Sequence, residues 1–154
     1  MGQPHSGKTE MAFAIMKQLL KHGHTADYLN GNELRKNAND FDYTAAGQIR
    51  QSLRINELLY KSESDFVIVD LIHPLRRAYS ELPPALVIWM GATTAICESQ
   101  FQFVNPIGIV DWCIEAESDI AAQSIDIINK FLLEQESCLS DNTANKEFIT
   151  TNNK

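Results

Sequence analysis

The stretch Gly2-Gln3-Pro4-His5-Ser6-Gly7-Lys8-Thr9 fits the pattern G-x-x-x-x-G-K-[ST] and decides the fold expected for this chain. In such a loop the glycines let backbone N–H groups turn inward around the phosphates of a nucleoside triphosphate. The Lys8 ammonium then lies between the β and γ phosphates, and the Thr9 hydroxyl can ligate Mg²⁺. The stretch therefore predicts a phosphate-binding loop for ATP and Mg²⁺.

A helix must follow such a loop, and apolar residues recur at helical spacing directly after it. They are Met11, Ala12, Ile15, Met16, Leu19 and Leu20. Gly23 can end this helix in the left-handed conformation. The helix N-terminus then faces the phosphates and adds its dipole to the site.

A phosphate loop normally leaves the end of a buried strand, but only Met1 precedes Gly2 in this sequence. In a doubly wound sheet that strand is central, and its loss exposes the edges of its neighbours. We therefore expect the first strand to be missing, through a start assigned at an internal methionine or a fragmentary chain. The alternatives are a rearranged sheet or a strand donated by another chain, as in a homodimer.

Strands and helices alternate along the rest of the sequence. The predicted strands cover residues 24–29, 66–69, 86–90 and 109–114; Asn30-Gly31-Asn32 reads as a turn; and helices are predicted over residues 44–61, 94–100 and 119–133, the first capped by Thr44 and the last by Ser118. This alternation predicts an α/β fold, a three-layer P-loop kinase-like domain over residues 1–133 with a parallel sheet and helices on both faces. Residues 134–154 are polar and are predicted to form a disordered tail.

Composition limits the classes of function. The 154 residues are 44% hydrophobic and 21% charged, enough for one sizeable core. The formal net charge of -7 argues against a nucleic-acid partner, which requires clustered Lys and Arg. No apolar run approaches the roughly 20 residues that span a bilayer, and the N-terminus has no signal-peptide pattern, so we expect no membrane partner and a cytoplasmic protein. The three cysteines, Cys97, Cys113 and Cys138, are widely spaced and fit reduced thiols.

The strand Val67-Ile68-Val69 ends in Asp70, the form of a second nucleotide-site motif whose carboxylate holds Mg²⁺. An acidic residue at a strand end is also a common turn residue or helix cap, and only the upstream loop favours the magnesium role. His73 and Arg76 follow just beyond this strand, where ligands of open α/β sheets bind. A solvated loop is the alternative for these two residues.

Four stretches together resemble the adenylylsulfate kinase family. They are the phosphate loop, Asn30-Gly31-Asn32-x-x-Arg35, Asp40-x-x-Tyr43-Thr44 and Ile72-x-Pro74-x-Arg76. The resemblance covers roughly residues 2–100 and implies transfer of the ATP γ-phosphoryl to the 3′-hydroxyl of adenosine 5′-phosphosulfate, a step of sulfate assimilation.

The resemblance also implies an acceptor site and a catalytic set. Arg35 would contact the phosphosulfate, Tyr43 would stack on the adenine, and Ile72 and Pro74 would line the pocket. The predicted substrate-binding residues are Asn30, Asn32, Arg35, Tyr43, Gln48, Gln51, Ile72, His73 and Pro74. The predicted catalytic residues are Lys8, Asp70 and Arg76, with Thr9 and Asp70 as metal ligands.

Several positions depart from the family pattern. Its Asp-Gly-Asp is here Asn30-Gly31-Asn32, and an amide cannot accept a proton at neutral pH. Its arginine and asparagine on the next helix align with Gln48 and Gln51. Its serine before the proline aligns with His73, its lid arginine aligns with Gln100, and Asp70 stands where it usually has serine.

Two hypotheses follow. The first is an ATP-dependent small-molecule kinase acting on adenosine 5′-phosphosulfate or a related acceptor. The second is a catalytically impaired nucleotide-binding protein with a regulatory or assembly role, which the amides favour. We prefer the first, because phosphoryl transfer depends mainly on positioning and charge. A GTPase is disfavoured because the sequence lacks a guanine-reading N-K-x-D run.

Overall fold

The computed structural model describes residues 1–2, 5–72, 82–83, 85–91, 110–115 and 118–134. In chain order the elements are α1 (Lys8–Lys21), β1 (Ala26–Asn30), α2 (Gly31–Asn37), α3 (Ala45–Lys61), β2 (Phe66–Asp70), β3 (Ile88–Met90), β4 (Trp112–Ile114) and helix α4 over residues 120–134. All of these elements except α2 overlap an element predicted from the sequence. The helix predicted over residues 94–100 lies outside the described residues.

The strands pair in parallel, which confirms the predicted α/β class. Strand β1 pairs with β2 in a register that sets Ala26 opposite Phe66 and Asn30 opposite Asp70. Strand β3 pairs with β4, with Ile88 opposite Trp112. Because β1 and β2 end at the same edge, Asn30 and Asp70 lie side by side at the carboxyl end of the sheet, where ligands of such folds bind.

The start of the chain lies against β3. The Met1 ammonium donates to the Ile88 carbonyl oxygen at 2.6 Å, and the Met90 N–H donates to the Met1 carbonyl oxygen at 2.7 Å. Gly2 forms a parallel bridge with Met90. These two residues therefore run parallel to β3, in the direction expected of the end of a central strand.

An apolar cavity lies between β2 and β3, and Met1 is among the residues that line it. Its volume is about 330 Å³, and its lining includes Val67 and Val69 of β2, Val87 and Ile88 at β3, and Met11 of α1. Within the described residues β2 pairs only with β1, and β3 pairs with β4 and Gly2. The two sheet halves thus have facing edges separated by an apolar space.

Helix α1 contributes one stripe to the main core. The buried cluster consists of Met11, Ile15, Leu19, Met90, Ile114, Ile127 and Ile128. Leu20, which the sequence placed on the inner face of α1, is 56% exposed, because it lies about 100° around the helix from Leu19. Gly23 adopts φ 84°, which confirms the left-handed end of this helix.

Helix α3 buries a largely polar face. Gln48, Gln51 and Ser52 are buried beside Ile55, whereas Leu53 is 50% exposed. The polar face is buried because its amides bond to the backbone of neighbouring segments, as described below. Thr44 accepts from the Gly47 N–H, which confirms the predicted N-cap.

Two local predictions are wrong. Asn30-Gly31-Asn32 is the start of helix α2 instead of a turn, because the Asn30 side chain accepts from the N–H groups of Asn32 and Glu33 and so caps the helix. In α4 the cap is Asp119 instead of Ser118, since its carboxylate accepts from the Ala121 and Ala122 N–H groups.

The sequence pattern predicts that one residue set forms the inner face of α4, and Ile125 departs from it; the set is Ile120, Ser124, Ile125, Ile128, Phe131 and Leu132. Ile125 is 42% exposed, and Ile127 is buried in its place. Ser124 and Ile128, both predicted to face inward, are buried. The stripe formed by Ser124, Ile127 and Ile128 has the spacing of three and four residues that one helix face requires.

Candidate functional site: a phosphate loop and an acceptor wall

The backbone of the phosphate loop contains two left-handed residues. Gly7 adopts φ 80° and His5 adopts φ 62°, both just before α1 begins. Gly2 has no room for a side chain, because a Cβ at this position would lie 2.1 Å from the Met90 carbonyl oxygen. Left-handed turns of this kind can expose backbone N–H groups to an anion, and the N-terminus of α1 follows directly. Gln3 and Pro4 lie outside the described residues.

Lys8 is the cation of this loop. Its ammonium lies 3.4 Å from the Ser6 hydroxyl oxygen. Partial burial lowers the pKa of Lys8, and the nearby Asp70 carboxylate opposes that shift. A partly buried ammonium beside a helix N-terminus favours the binding of a polyphosphate.

Thr9 and Asp70 form the candidate magnesium pair. The Thr9 hydroxyl donates to Asp70 Oδ2 at 2.6 Å, which joins the first turn of α1 to the end of β2. Both groups offer hard oxygen ligands. Among the described residues no group of three or more His, Cys, Asp and Glu side chains could hold a metal. Mg²⁺ usually takes only one or two carboxylates together with substrate phosphates and water, so the pair fits this ion.

Tyr28 joins this pair, and the sequence analysis did not single it out. Its hydroxyl donates to Asp70 Oδ2 at 3.1 Å and accepts from the Asn30 amide nitrogen at 3.0 Å. Burial is the largest cause of a raised pKa for Tyr28, so the phenol keeps its proton at neutral pH. The sequence could have indicated Tyr28, because residues two apart in a strand lie on the same face, and Tyr28 and Asn30 are two apart in a strand that ends beside Asp70.

Arg35 is buried beneath the segment that joins α2 to α3. Its Nη1 donates to the Asp42 carbonyl oxygen at 2.8 Å and to the Asp40 carbonyl oxygen at 3.5 Å. The guanidinium carbon lies 4.7 Å from the centre of the Tyr43 ring, a cation–π distance. Arg35 thus holds the loop of residues 40–43 and supports Tyr43, whose ring is partly exposed.

The two glutamines of α3 complete this wall. Gln48 Nε2 donates to the Tyr43 carbonyl oxygen at 3.0 Å, and Gln51 Nε2 donates to the Gly31 carbonyl oxygen at 3.0 Å. Gln51 therefore ties α3 to the start of α2, next to the Asn30 cap. We name the set of Arg35, Tyr43, Gln48 and Gln51 the acceptor wall, after the role that the family resemblance implies for these residues.

A group of ion pairs closes the outer side of the acceptor wall. Arg50 bonds to the carboxylates of Asp40 and Asp42, and Arg54 bonds to Asp40 and to Gln51. Hydrogen bonds from Arg50 and Arg54 hold the pKa of Asp40 well below its usual range. The sequence analysis missed these pairs, because their members are separated by a loop whose path only the fold defines.

The remaining predicted site residues have varied positions. Asn32 is exposed in the first turn of α2, and Ile72 is half-buried just after β2. His73, Pro74, Arg76 and Gln100 lie outside the described residues. Trp89 and Met90 are buried in the core.

None of the described helices is both long and apolar enough to cross a membrane.

Comparison with solved structures gives the same fold. The APS kinase CysC of Mycobacterium tuberculosis, in a cysteine-to-alanine mutant, matches with TM-score 0.67 and 21% identity, covering 87% of this chain and 93% of that one. The same enzyme in complex with AMPPNP and APS matches with TM-score 0.64 and 20% identity, covering 87% and 94%. No curated protein matches significantly.

The sequence itself matches the adenylylsulphate kinase family over residues 1–98. The match includes the phosphate loop, the Thr9–Asp70 pair and the acceptor wall, and it extends over more than half of the chain. The chain therefore belongs to the adenylylsulphate kinase family.

Proposed function

We propose that this protein is an ATP-dependent kinase that transfers the γ-phosphoryl of ATP to a hydroxyl of adenosine 5′-phosphosulfate or a closely related acceptor. The observation that carries the proposal is the Thr9–Asp70 hydrogen bond of 2.6 Å, which places the phosphate loop beside the carboxyl ends of β1 and β2. The acceptor wall starts at the same edge, because Gln51 bonds to Gly31. ATP and acceptor would therefore meet at one edge of the sheet.

On the ATP side, the residues would bind the phosphates and neutralise their charge. The phosphate loop and the N-terminus of α1 would hold the β and γ phosphates, and Lys8 would stabilise the charge that develops on the transferred group. Thr9 and Asp70 would hold Mg²⁺, which when bound neutralises phosphate charge. In the transfer, the bond from the γ phosphorus to its bridging oxygen breaks and releases ADP, a bond from the same phosphorus to the acceptor oxygen forms, and the hydroxyl proton passes to water.

On the acceptor side, the residues would hold the acceptor molecule in position. The Tyr43 ring is 42% exposed and is held from below by Arg35, so it can stack on an adenine ring. Both described hydrogen bonds of Arg35 to the loop use Nη1, and its proposed contact with the phosphosulfate would use the other nitrogens of the guanidinium. Ile72 with His73, Pro74 and Arg76, which the sequence places after β2, would complete the pocket.

Asn30 and Asn32 cannot act as bases, and Asn30 is already engaged by the α2 backbone and by Tyr28. The proposed reaction does not require Asn30 or Asn32 to act as a base, since phosphoryl transfer depends mainly on alignment and charge stabilisation. A soluble protein with this chemistry would act in the cytoplasm, as a monomer or a homodimer.

The test is a direct assay of the purified protein with Mg-ATP and adenosine 5′-phosphosulfate, with both ADP and the phosphorylated acceptor separated by chromatography. We expect both products in equal amounts. Adenosine 5′-monophosphate serves as the matched acceptor that lacks the sulfate, and we expect it to react more slowly. Tight binding of Mg-ATP without phosphorylated acceptor would contradict the proposal and favour a nucleotide-binding protein without catalysis.

A further inference from the structure

Asp70 Oδ2 is the meeting point of a chain of hydrogen bonds that crosses three elements. It accepts from the Thr9 hydroxyl of α1 at 2.6 Å and from the Tyr28 hydroxyl of β1 at 3.1 Å. Tyr28 in turn accepts from the Asn30 amide nitrogen at 3.0 Å. Asp70 is 9% exposed, so these bonds are formed where water competes weakly.

The directions of these bonds are fixed by Asn30. Its amide oxygen accepts from the N–H groups of Asn32 and Glu33, so its nitrogen is the atom that faces Tyr28. An amide nitrogen can only donate, and the phenol oxygen that accepts from it must direct its own proton elsewhere. The acceptor within reach of that proton is Asp70 Oδ2.

The Tyr28 ring is also held in place. It lies 4.9 Å from the Phe13 ring of α1, centre to centre, and pairs across the sheet with Ile68. The phenol thus has a fixed ring, a fixed donor and a fixed acceptor. A carboxylate with one oxygen committed to two donors has its plane defined, because rotation about the terminal side-chain bond would break both bonds.

We propose that Tyr28 is a positioning residue of the magnesium site, which orients the Asp70 carboxylate and, through it, the Thr9 hydroxyl, with Asn30 setting the direction of its proton. The inference rests on the proposed function in that it assigns Thr9 and Asp70 to Mg²⁺. It extends that function because it explains how amide Asn30 works where the family resemblance implies a carboxylate. A carboxylate at position 30 would compete with Asp70 for the phenol proton.

The test measures binding of the ATP analogue AMPPNP by calorimetry with and without Mg²⁺, so it does not depend on any acceptor. The variant Tyr28→Phe keeps the ring and removes the hydroxyl. We expect the Mg²⁺-dependent gain in affinity to fall by about tenfold, the size of one hydrogen bond to a charged group, with metal-free affinity unchanged. Tyr60→Phe, at an 81% exposed tyrosine of α3, is the matched control and should leave both affinities unchanged.

The second variant, Asn30→Asp, tests the direction of the proton. Aspartate caps a helix as well as asparagine does, so α2 is preserved while the donor to Tyr28 is lost. We expect a loss of Mg²⁺-dependent affinity similar to that of Tyr28→Phe, and no further loss when the two changes are combined, since both break the same chain.

Three results would overturn the inference: an unchanged Mg²⁺-dependent gain in Tyr28→Phe, equal losses with and without metal, or a larger Mg²⁺-dependent gain in Asn30→Asp. The last would mean that a carboxylate at position 30 serves the metal directly. Failure of the kinase proposal has a different signature, because it would leave the Mg²⁺ linkage intact and only the phosphorylated acceptor would be missing.

Discussion

At the scale of single residues, the side chains around Asp70 are held by hydrogen bonds to one another and to the backbone. Thr9 and Tyr28 share one oxygen of Asp70, and Asn30 is used on both its oxygen and its nitrogen. Lys8 contributes a positive charge to the site; burial lowers its pKa, and the Asp70 carboxylate opposes that effect. Such an ammonium gains more from a bound polyphosphate than a fully hydrated lysine would.

Lys8→Ala should therefore weaken nucleotide binding whether or not magnesium is present, and should slow any phosphoryl transfer by on the order of a hundredfold or more, as removal of a preorganised charge does. Lys17→Ala, at an exposed lysine of the same helix, is the matched control. Binding is measured by calorimetry with AMPPNP. Unchanged affinity in Lys8→Ala would refute the assignment of the phosphate loop.

At the scale of elements, helices α2 and α3 are joined by polar contacts instead of an apolar seam. Arg35 and Gln48 donate to carbonyl groups of the loop between them, and Gln51 donates to the Gly31 carbonyl oxygen at the start of α2. Buried backbone oxygens that lose their donors are left unsatisfied, so this part of the fold depends on a few specific side chains. The same contacts hold Tyr43 where an acceptor could stack.

Arg35→Met should lower the free energy of unfolding by about 2–3 kcal/mol, because it leaves two loop carbonyl oxygens without their charged donor. Arg50→Met removes an exposed arginine, with 48% of its side chain accessible, from the same loop and should change stability little. Urea unfolding followed by circular dichroism measures both variants. Equal stability of the two would show that Arg35 does not hold the loop.

At the scale of the whole molecule, the notable feature is the apolar cavity of about 330 Å³ between the facing edges of β2 and β3. Met1 is among the residues that line it, and burial lowers the pKa of the Met1 amino group to about 5, from a usual value of 8.0. The Met1–Gly2 segment already runs parallel to β3. An extended apolar segment joined to Met1 would continue this direction along β3 towards Val87, which lines the cavity.

A chain with about five apolar, β-branched residues added before Met1, the usual length of a strand, should therefore be markedly more stable and less prone to associate. A Gly/Ser extension of the same length is the matched control. It also replaces the buried ammonium by an amide, but it cannot fill the cavity. Thermal unfolding and light scattering measure the difference, and equal stabilisation by both extensions would contradict the role of the cavity.

The pH dependence of stability distinguishes the effect of the Met1 amino group from the effect of filling the cavity. For the chain beginning at Met1, the folded pKa of about 5 lies below the value of 8.0 expected when unfolded, so between these values the unfolded state binds the proton that the folded state has released. Stability should rise as the pH increases from about 5 to 8 through this group. Both extensions should remove that contribution, because they replace the ionisable group at this position by an amide.

The sequence by itself determined the phosphate loop, the helix after it, the parallel α/β class and the family, because each depends on residue type at short spacing. It also placed Asp70 at the end of its strand, and the structure brings that carboxylate to Thr9. The family resemblance named Arg35, Tyr43, Gln48 and Gln51, but local sequence could not show that they bond mainly to the backbone of α2 and its loop. Only the tertiary structure decided these partners, and likewise the Tyr28–Asp70 bond and the cavity, since each joins segments that are distant in sequence and meet through the register of the sheet.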